Sequence, residues 1–254
     1  MAPETVQASD QRSPTGRTVA VILCAGQGTR MGGERNKVLL ELAGKPIAVR
    51  AAEAFERTRL VDEMLLVAHP REVEEMRALA EMYGLRKVRQ VIAGGATRHQ
   101  SETNALNALR ERIERDAVDI VLVHDGARPL VTPREIGRLI RVAREIGGGL
   151  LATPVEPAVS LVESDAQGDV ATILPQGRLW KAQTPQAFEA RALLSAYDAA
   201  AATGYEGTDT AASFERAGHT VRVVPGSPRN FKITTPSDLA RAGTLMRRHP
   251  TVYP

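Results

Sequence analysis

Val19-Ala20-Val21-Ile22-Leu23-Cys24-Ala25-Gly26-Gln27-Gly28-Thr29-Arg30-Met31-Gly32-Gly33-Glu34-Arg35-Asn36-Lys37 is the stretch on which the reading of this chain turns. Residues 19–24 are apolar without interruption, as a strand buried on both faces requires. The run then gives way to a loop of small residues that carries Arg30, with Lys37 shortly after. Glycines let backbone N–H groups come close to a ligand, and the two cations add full positive charge at the same sheet edge. A strand ending in such a loop is how an α/β fold holds nucleotide phosphates. The P-loop pattern fails, because no Gly-Lys-Ser or Gly-Lys-Thr occurs in the chain. The dinucleotide fingerprint fits at Gly26 and Gly28 but meets Met31 at the third glycine, and the next strand runs into His69 rather than an acidic residue. A phosphate loop of another kind and a plain strand-to-helix turn remain.

Composition narrows the partners. The chain has 254 residues, a formal charge of +3 and 25% charged residues, enough for one large α/β domain. Aromatic residues make up only 4% and the basic ones are dispersed, so a nucleic-acid surface is not expected. A nucleotide or phosphorylated small molecule suits the arginine excess better. Cys24 is the single cysteine, which excludes an internal disulfide and a multi-cysteine metal site. At a strand end it reads as a small buried side chain rather than a nucleophile. Residues 1–17 are polar and lack the apolar run of a signal peptide, so they are expected to be a disordered tail ahead of a single domain over 18–254. No apolar run nears the roughly 20 residues of a membrane span, and the expectation is a cytoplasmic protein.

Apolar runs alternate with helical patterns along the chain. Strands are expected at 19–24, 64–68, 87–92, 120–123, 149–154 and 220–224, and helices at 46–58, 71–83, 100–115, 133–146, 191–203, 209–217 and 236–247. Pro133 and Pro236 each follow a threonine, a helix start. The alternation predicts a mostly parallel, Rossmann-like sheet with helices on both faces, and it directs the search for a site to the loops after the strands. Residues 156–175 break the pattern with alternating pieces around a turn-rich centre, a β-hairpin expected to pack on a second subunit.

Three later loops carry candidate chemistry. Gly94-Gly95-Ala96-Thr97-Arg98-His99-Gln100-Ser101 opens a helix, either as a nucleotide-binding turn or simply with Thr97 as cap. His124-Asp125-Gly126-Ala127-Arg128-Pro129 places a carboxylate at a strand end, where it holds Mg²⁺ or caps the turn, with Arg128 bracing it or meeting phosphate. Asn230-Phe231-Lys232-Ile233-Thr234-Thr235-Pro236 reads as a short strand whose lysine reaches a cleft anion or solvent.

Taken in order, AGQGTRM, Lys37, GGATRHQS, HDGARP, QTPQAF, Thr208-Asp209 and FKITTP make the chain resemble the 2-C-methyl-D-erythritol 4-phosphate cytidylyltransferases and their sisters, the ribitol-5-phosphate cytidylyltransferases. The resemblance covers about 19–245. It implies a homodimer clasped through the hairpin arm, with CTP, a small polyol phosphate and Mg²⁺. By motif, Cys24, Ala25, Gly26 and Gly28 wrap the CTP, while Gly94, Arg98, Ser101 and Gly126 serve its nucleoside side. Arg30, Lys37 and Lys232 bind and activate the triphosphate. Asp125 is the metal ligand and, with Arg128, Thr184, Thr208 and Asp209, borders the acceptor. Several positions depart from the pattern. Asn36 replaces a proline, which predicts a looser loop before Lys37, and Ala96 replaces an aspartate. The arm reads Pro157-Ala158-Val159-Ser160, and Gln176 stands where an arginine is usual, with Arg178 nearby. The implied activity is cytidylyl transfer to methylerythritol phosphate. Transfer to another polyol phosphate and a non-catalytic nucleotide-binding protein are the alternatives.

Overall fold

The computed structural model describes residues 16–26, 36–156, 162–164, 166–167, 170–173 and 179–253. Gly28 and Arg30 lie outside these residues, as do Ala158, Gln176 and Arg178 of the arm and residues 1–15 of the expected tail. Arg17, counted with the tail on sequence grounds, instead opens the first strand. Its backbone N–H donates to Ala117 O at 3.1 Å and its guanidinium pairs with Glu63.

Eleven strands and seven α-helices alternate along the described chain. They are β1 (Arg17–Cys24), β2 (Glu41–Leu42), β3 (Lys45–Pro46), α1 (Ile47–Glu56), β4 (Glu63–Ala68), α2 (Val73–Met82), β5 (Val88–Ala93), α3 (Arg98–Glu114), β6 (Val118–Asp125), α4 (Pro133–Ile146), β7 (Gly148–Pro154), β8 (Val162–Ser164), β9 (Val170–Ile173), β10 (Trp180–Glu189), α5 (Ala190–Thr203), α6 (Thr210–Arg216), β11 (Arg222–Pro225) and α7 (Pro236–Arg248). Seven strands form one sheet in the order β11-β7-β10-β6-β1-β4-β5. Within it β10 alone runs antiparallel to its neighbours.

The apolar run of β1 is explained by burial on two sides. Ala20, Ile22 and Cys24 join the core beneath α1, α2 and α4, while Val19 and Val21 join the one beneath α3, α5 and α6. Register then decides where function can sit. Cys24 lies opposite Ala68, Ala68 opposite Ala93, and Leu23 opposite Asp125. Four parallel strands therefore end level, and the loops that follow share one edge. Thr132 and Thr235 each cap a helix through a complete capping box with a proline in the first turn, as the sequence predicts.

Two local expectations are corrected. The strand β10 was not foreseen, because Pro185 and the polar Gln183, Thr184 and Gln186 argue against a central strand. The ladder with β7 shifts register between Ala182 and Gln186, and this irregularity accommodates a proline that has no N–H to give. The Thr184–Pro185 bond is cis. Lys232 does not lie on a strand. Its segment is an irregular loop between β11 and α7, where the backbone bond from Ile233 N–H to Ala127 O at 2.8 Å is not repeated in the ladder pattern of a strand.

Candidate active site

A cavity of about 470 Å³ opens at the shared carboxyl edge of β1, β4, β5 and β6, walled by Gly26, Lys37, Gly94, Arg98, Asp125 and Lys232. A larger groove of about 710 Å³ runs between α2 and the edge strand β5, away from these strand ends, and none of the predicted residues lines it. The smaller cavity is the candidate site, because charged side chains and glycine loops converge on it.

Asp125 closes β6 and is the hub. Lys232 Nζ stands 3.0 Å from its Oδ2, Arg128 Nε 3.4 Å from the same oxygen, and Arg98 Nε 3.5 Å from Oδ1. Burial alone would make it a weaker acid, but Lys232, Arg98 and Arg128 outweigh it and hold the carboxyl well below the usual carboxylate range. Asp125 is therefore an anion ringed by three cations drawn from α3, the β6–α4 loop and the β11–α7 loop. Arg128 also donates to Asn230 O at 2.9 Å, which ties the Lys232 loop to the end of β6.

The backbone of this turn is held from behind. Asp125 N–H donates to Thr184 Oγ1 at 2.9 Å, and Thr184 Oγ1 lies 3.1 Å from His124 Nδ1. A carbonyl oxygen only accepts, so His124 Nε2–H donates to Arg128 O at 3.1 Å. Burial lowers the pKa of His124 to about 4, so the ring is neutral near pH 7 and Nδ1 accepts the Thr184 hydroxyl proton. Thr184, expected at the acceptor, is buried and spends its hydroxyl on this chain of bonds.

Glycines at two positions are required by close approach. A Cβ on Gly126 would stand 2.5 Å from Cys24 Sγ and 3.1 Å from Leu23 O, so only glycine lets the β6 turn press on β1. A Cβ on Gly94 would lie 2.5 Å from Ala25 Cβ and 2.8 Å from Ser101 Oγ. Ser101 Oγ accepts from Gly95 N–H at 3.1 Å and donates to Thr97 O at 3.0 Å, folding the glycine turn onto α3. Thr97 caps that helix through Gln100 N–H, as the capping reading expects. Cys24 is buried and its thiol is pushed up to about 12, which rules out a thiolate nucleophile.

The loop that Asn36 is expected to loosen falls at residues 27–35, outside the described residues, but Asn36 itself is anchored. Its Nδ2 donates to Cys24 O and to Glu72 Oε2, both at 2.8 Å, and its Oδ1 accepts from Val38 N–H. A buried amide thus does the fixing that a proline would do by ring closure, and it delivers Lys37 to the cavity wall.

Four residues of the network were not singled out from sequence. Glu102 accepts from Arg98 Nη1 at 2.5 Å and is buried, and its spacing of four from Arg98 is the one local signal. Gln186 joins Asp209 to the start of α6, taking Ala211 N–H at 2.9 Å and reaching Asp209 Oδ2 at 3.1 Å. Asn230 donates to Thr184 O at 2.9 Å, and His124 acts as above. Asp209 caps α6, and Thr208 precedes it, exposed.

The family model for 2-C-methyl-D-erythritol 4-phosphate cytidylyltransferase matches residues 18–248. The chain is 42% identical over 229 residues to the cytidylyltransferase of that name from Geobacter metallireducens, covering 90% of this chain and 97% of the relative. The Acidobacterium capsulatum protein of the same name is 39% identical over 238 residues, covering 91% and 98%. Among solved structures, the 4-diphosphocytidyl-2C-methyl-D-erythritol synthase of Anaerococcus prevotii superposes with a TM-score of 0.78 at 26% identity, over 92% of this chain and 97% of the other. On fold, motif order and identity alike, the chain belongs to the 2-C-methyl-D-erythritol 4-phosphate cytidylyltransferase family.

Proposed function

We propose that the cavity at the ends of β1 and β6 transfers the cytidylyl group of CTP to 2-C-methyl-D-erythritol 4-phosphate, releasing pyrophosphate. The observation that carries this reading is the clustering of Arg98, Arg128 and Lys232 around Asp125, at a cavity that Lys37 also lines beside two glycine turns, in a member of this family. The acceptor's phosphate oxygen attacks the α-phosphorus of CTP, and the bond to the β,γ-diphosphate breaks. The nucleophile is already an anion, so no acid or base is needed. The residues must hold two anionic reactants together, align attack and departure, and stabilise the charge that builds up. In this reading Lys37, Lys232 and Arg30 neutralise the triphosphate, the Gly26 and Gly94 turns admit the nucleotide, and Arg98 and Ser101 flank its nucleoside end. Thr208 and Asp209, held to β10 by Gln186, border the acceptor.

Asp125 is also the proposed ligand for Mg²⁺. No cluster of three acidic, histidine or cysteine ligands occurs among the described residues. A single carboxylate that stays ionised fits a hard cation whose other ligands are nucleotide oxygens and water. When bound there, Mg²⁺ would offset charge on the phosphates. The proposal includes a homodimer built on the β8–β9 hairpin and a cytoplasmic enzyme, since CTP is an intracellular nucleotide. No helix among the described residues is long and apolar enough to cross a membrane. The deciding experiment follows pyrophosphate release with CTP, Mg²⁺ and either methylerythritol 4-phosphate, ribitol 5-phosphate or no acceptor. Release with the first alone supports the proposal, release with the second alone reassigns the acceptor, and a CTP-binding protein that releases none is not a transferase for either.

A further inference from the structure

We propose that Glu102 is a positioning residue that fixes Arg98 against the cavity wall and thereby sets the affinity for the nucleotide, an inference that rests on the cytidylyl-transfer reading above. Glu102 lies in the second turn of α3, and only 2% of the residue is exposed. Its carboxylate is shared by donors from three helices. Oε1 accepts from Arg98 Nη1 at 2.5 Å and from Thr210 Oγ1 at 2.7 Å, and Oε2 accepts from Tyr197 Oη at 2.5 Å. His99 stacks on the Tyr197 ring with centroids 4.8 Å apart.

Burying a carboxylate is costly, and three short bonds are what make it tolerable here. What this arrangement does beyond packing follows from where Arg98 stands. Its guanidinium lies between two anions. Nη1 is committed to Glu102, while Nε faces Asp125 at 3.5 Å, longer than a good hydrogen bond. Arg98 itself lines the cavity, with 28% of its side chain exposed. Without the Glu102 charge, the nearest anion is Asp125, which already holds Lys232 at 3.0 Å. Arg98 would close on Asp125, leaving the wall and cancelling the carboxylate on which the cation cluster is organised. Thr210 also makes Glu102 a link to α6, directly after Thr208 and Asp209.

The test measures initial rates against CTP for Glu102→Gln, Arg98→Gln and the double variant, with CTP affinity measured by calorimetry on the same proteins. Glu102→Gln is isosteric, removes the charge and keeps one acceptor oxygen, while the other position becomes an amide donor for which the Tyr197 hydroxyl must act as acceptor. It should raise KM for CTP about tenfold, the loss expected from weakening one charged hydrogen bond, with kcat and the acceptor KM within about threefold of wild type. In the Arg98→Gln background the same substitution should add nothing, because Glu102 acts through Arg98. A wild-type KM for Glu102→Gln, or full additivity with Arg98→Gln, overturns the proposal. Should Glu102→Gln fail to fold, Glu102→Asp retains the charge at shorter reach and should raise KM for CTP about threefold, and an unchanged KM there also overturns it. Wild-type protein that binds CTP without releasing pyrophosphate refutes the transferase reading, and the calorimetric affinities then decide the role of Glu102 alone.

Discussion

Lys37 and His124 show how differently two residues of one site can contribute. Lys37 lines the cavity, and in the proposed reaction its ammonium would stabilise the charge that builds up on the triphosphate. Lys37→Ala should lower kcat roughly a hundredfold, within the range for loss of one transition-state donor, while the thermal midpoint stays near wild type. Turnover close to wild type in steady-state assays would remove Lys37 from the mechanism. His124 contributes by staying neutral. The unfolded chain takes up a proton near pH 6.5, whereas the folded site holds His124 unprotonated down to about 4. Stability present above pH 6.5 is therefore lost as pH falls through that window, by about 2 kcal/mol between pH 7 and pH 5. Asp125, held ionised below the usual carboxylate range, gives up its contribution only at lower pH. Urea unfolding at pH 7 and pH 5 should show His124→Asn less stable than wild type at pH 7 but losing less on acidification. Equal losses in the two proteins would mean that another group carries the acid sensitivity.

The start of α3 joins local rules to the site more tightly than any other element. Thr97 caps it, Ser101 folds the glycine turn onto it, and Gly94 sets its distance from the end of β1. Gly94→Ala would push a methyl to 2.5 Å from Ala25 Cβ, which cannot yield without moving β1. The expected result is a loss of about 1–3 kcal/mol in stability together with a rise of about tenfold in KM for CTP. Calorimetric unfolding and CTP titration check the two halves, and a change in neither would show that the contact relaxes freely. Elements of this kind are legible in sequence because caps, prolines and glycine turns act over a few residues. Lys37, Asp125 and Arg98 could be found the same way, as charges just beyond apolar runs. What could not be read depends on partners far along the chain. A strand containing Pro185 is possible only because β6 and β7 flank it. Asn36 is anchored through Cys24 O and Glu72, distant in sequence. Glu102 becomes informative only once Tyr197 and Thr210 converge on it.

The molecule as a whole brings Lys37, Arg98, Arg128 and Lys232 to the edge where four parallel strands end, and sets its two larger cores on opposite faces of one sheet. The β8–β9 hairpin stands apart from this plan. Val162 pairs with Ile173 and Glu163 with Thr172 in a separate two-stranded sheet, and such a hairpin has little stability of its own in water. It leaves the body between β7 and β10, where Val155 N–H donates to Leu179 O at 3.0 Å and Pro154 lies opposite Trp180. The chain ends at its base are thus already adjacent, so replacing residues 157–178 by a short Gly-Ser turn should leave the seven-stranded sheet intact. If the hairpin is the clasp of a homodimer, sedimentation should find the wild type dimeric and the shortened chain monomeric, with near-wild-type CTP affinity. The acceptor KM should rise by at least about tenfold, because an arm reaching the partner would supply part of the acceptor pocket. A shortened chain that stays dimeric would locate the interface elsewhere. A monomer with an unchanged acceptor KM would confine the arm to assembly and leave Thr208 and Asp209, anchored by Gln186 and by Thr210 on Glu102, to define the acceptor side within one subunit.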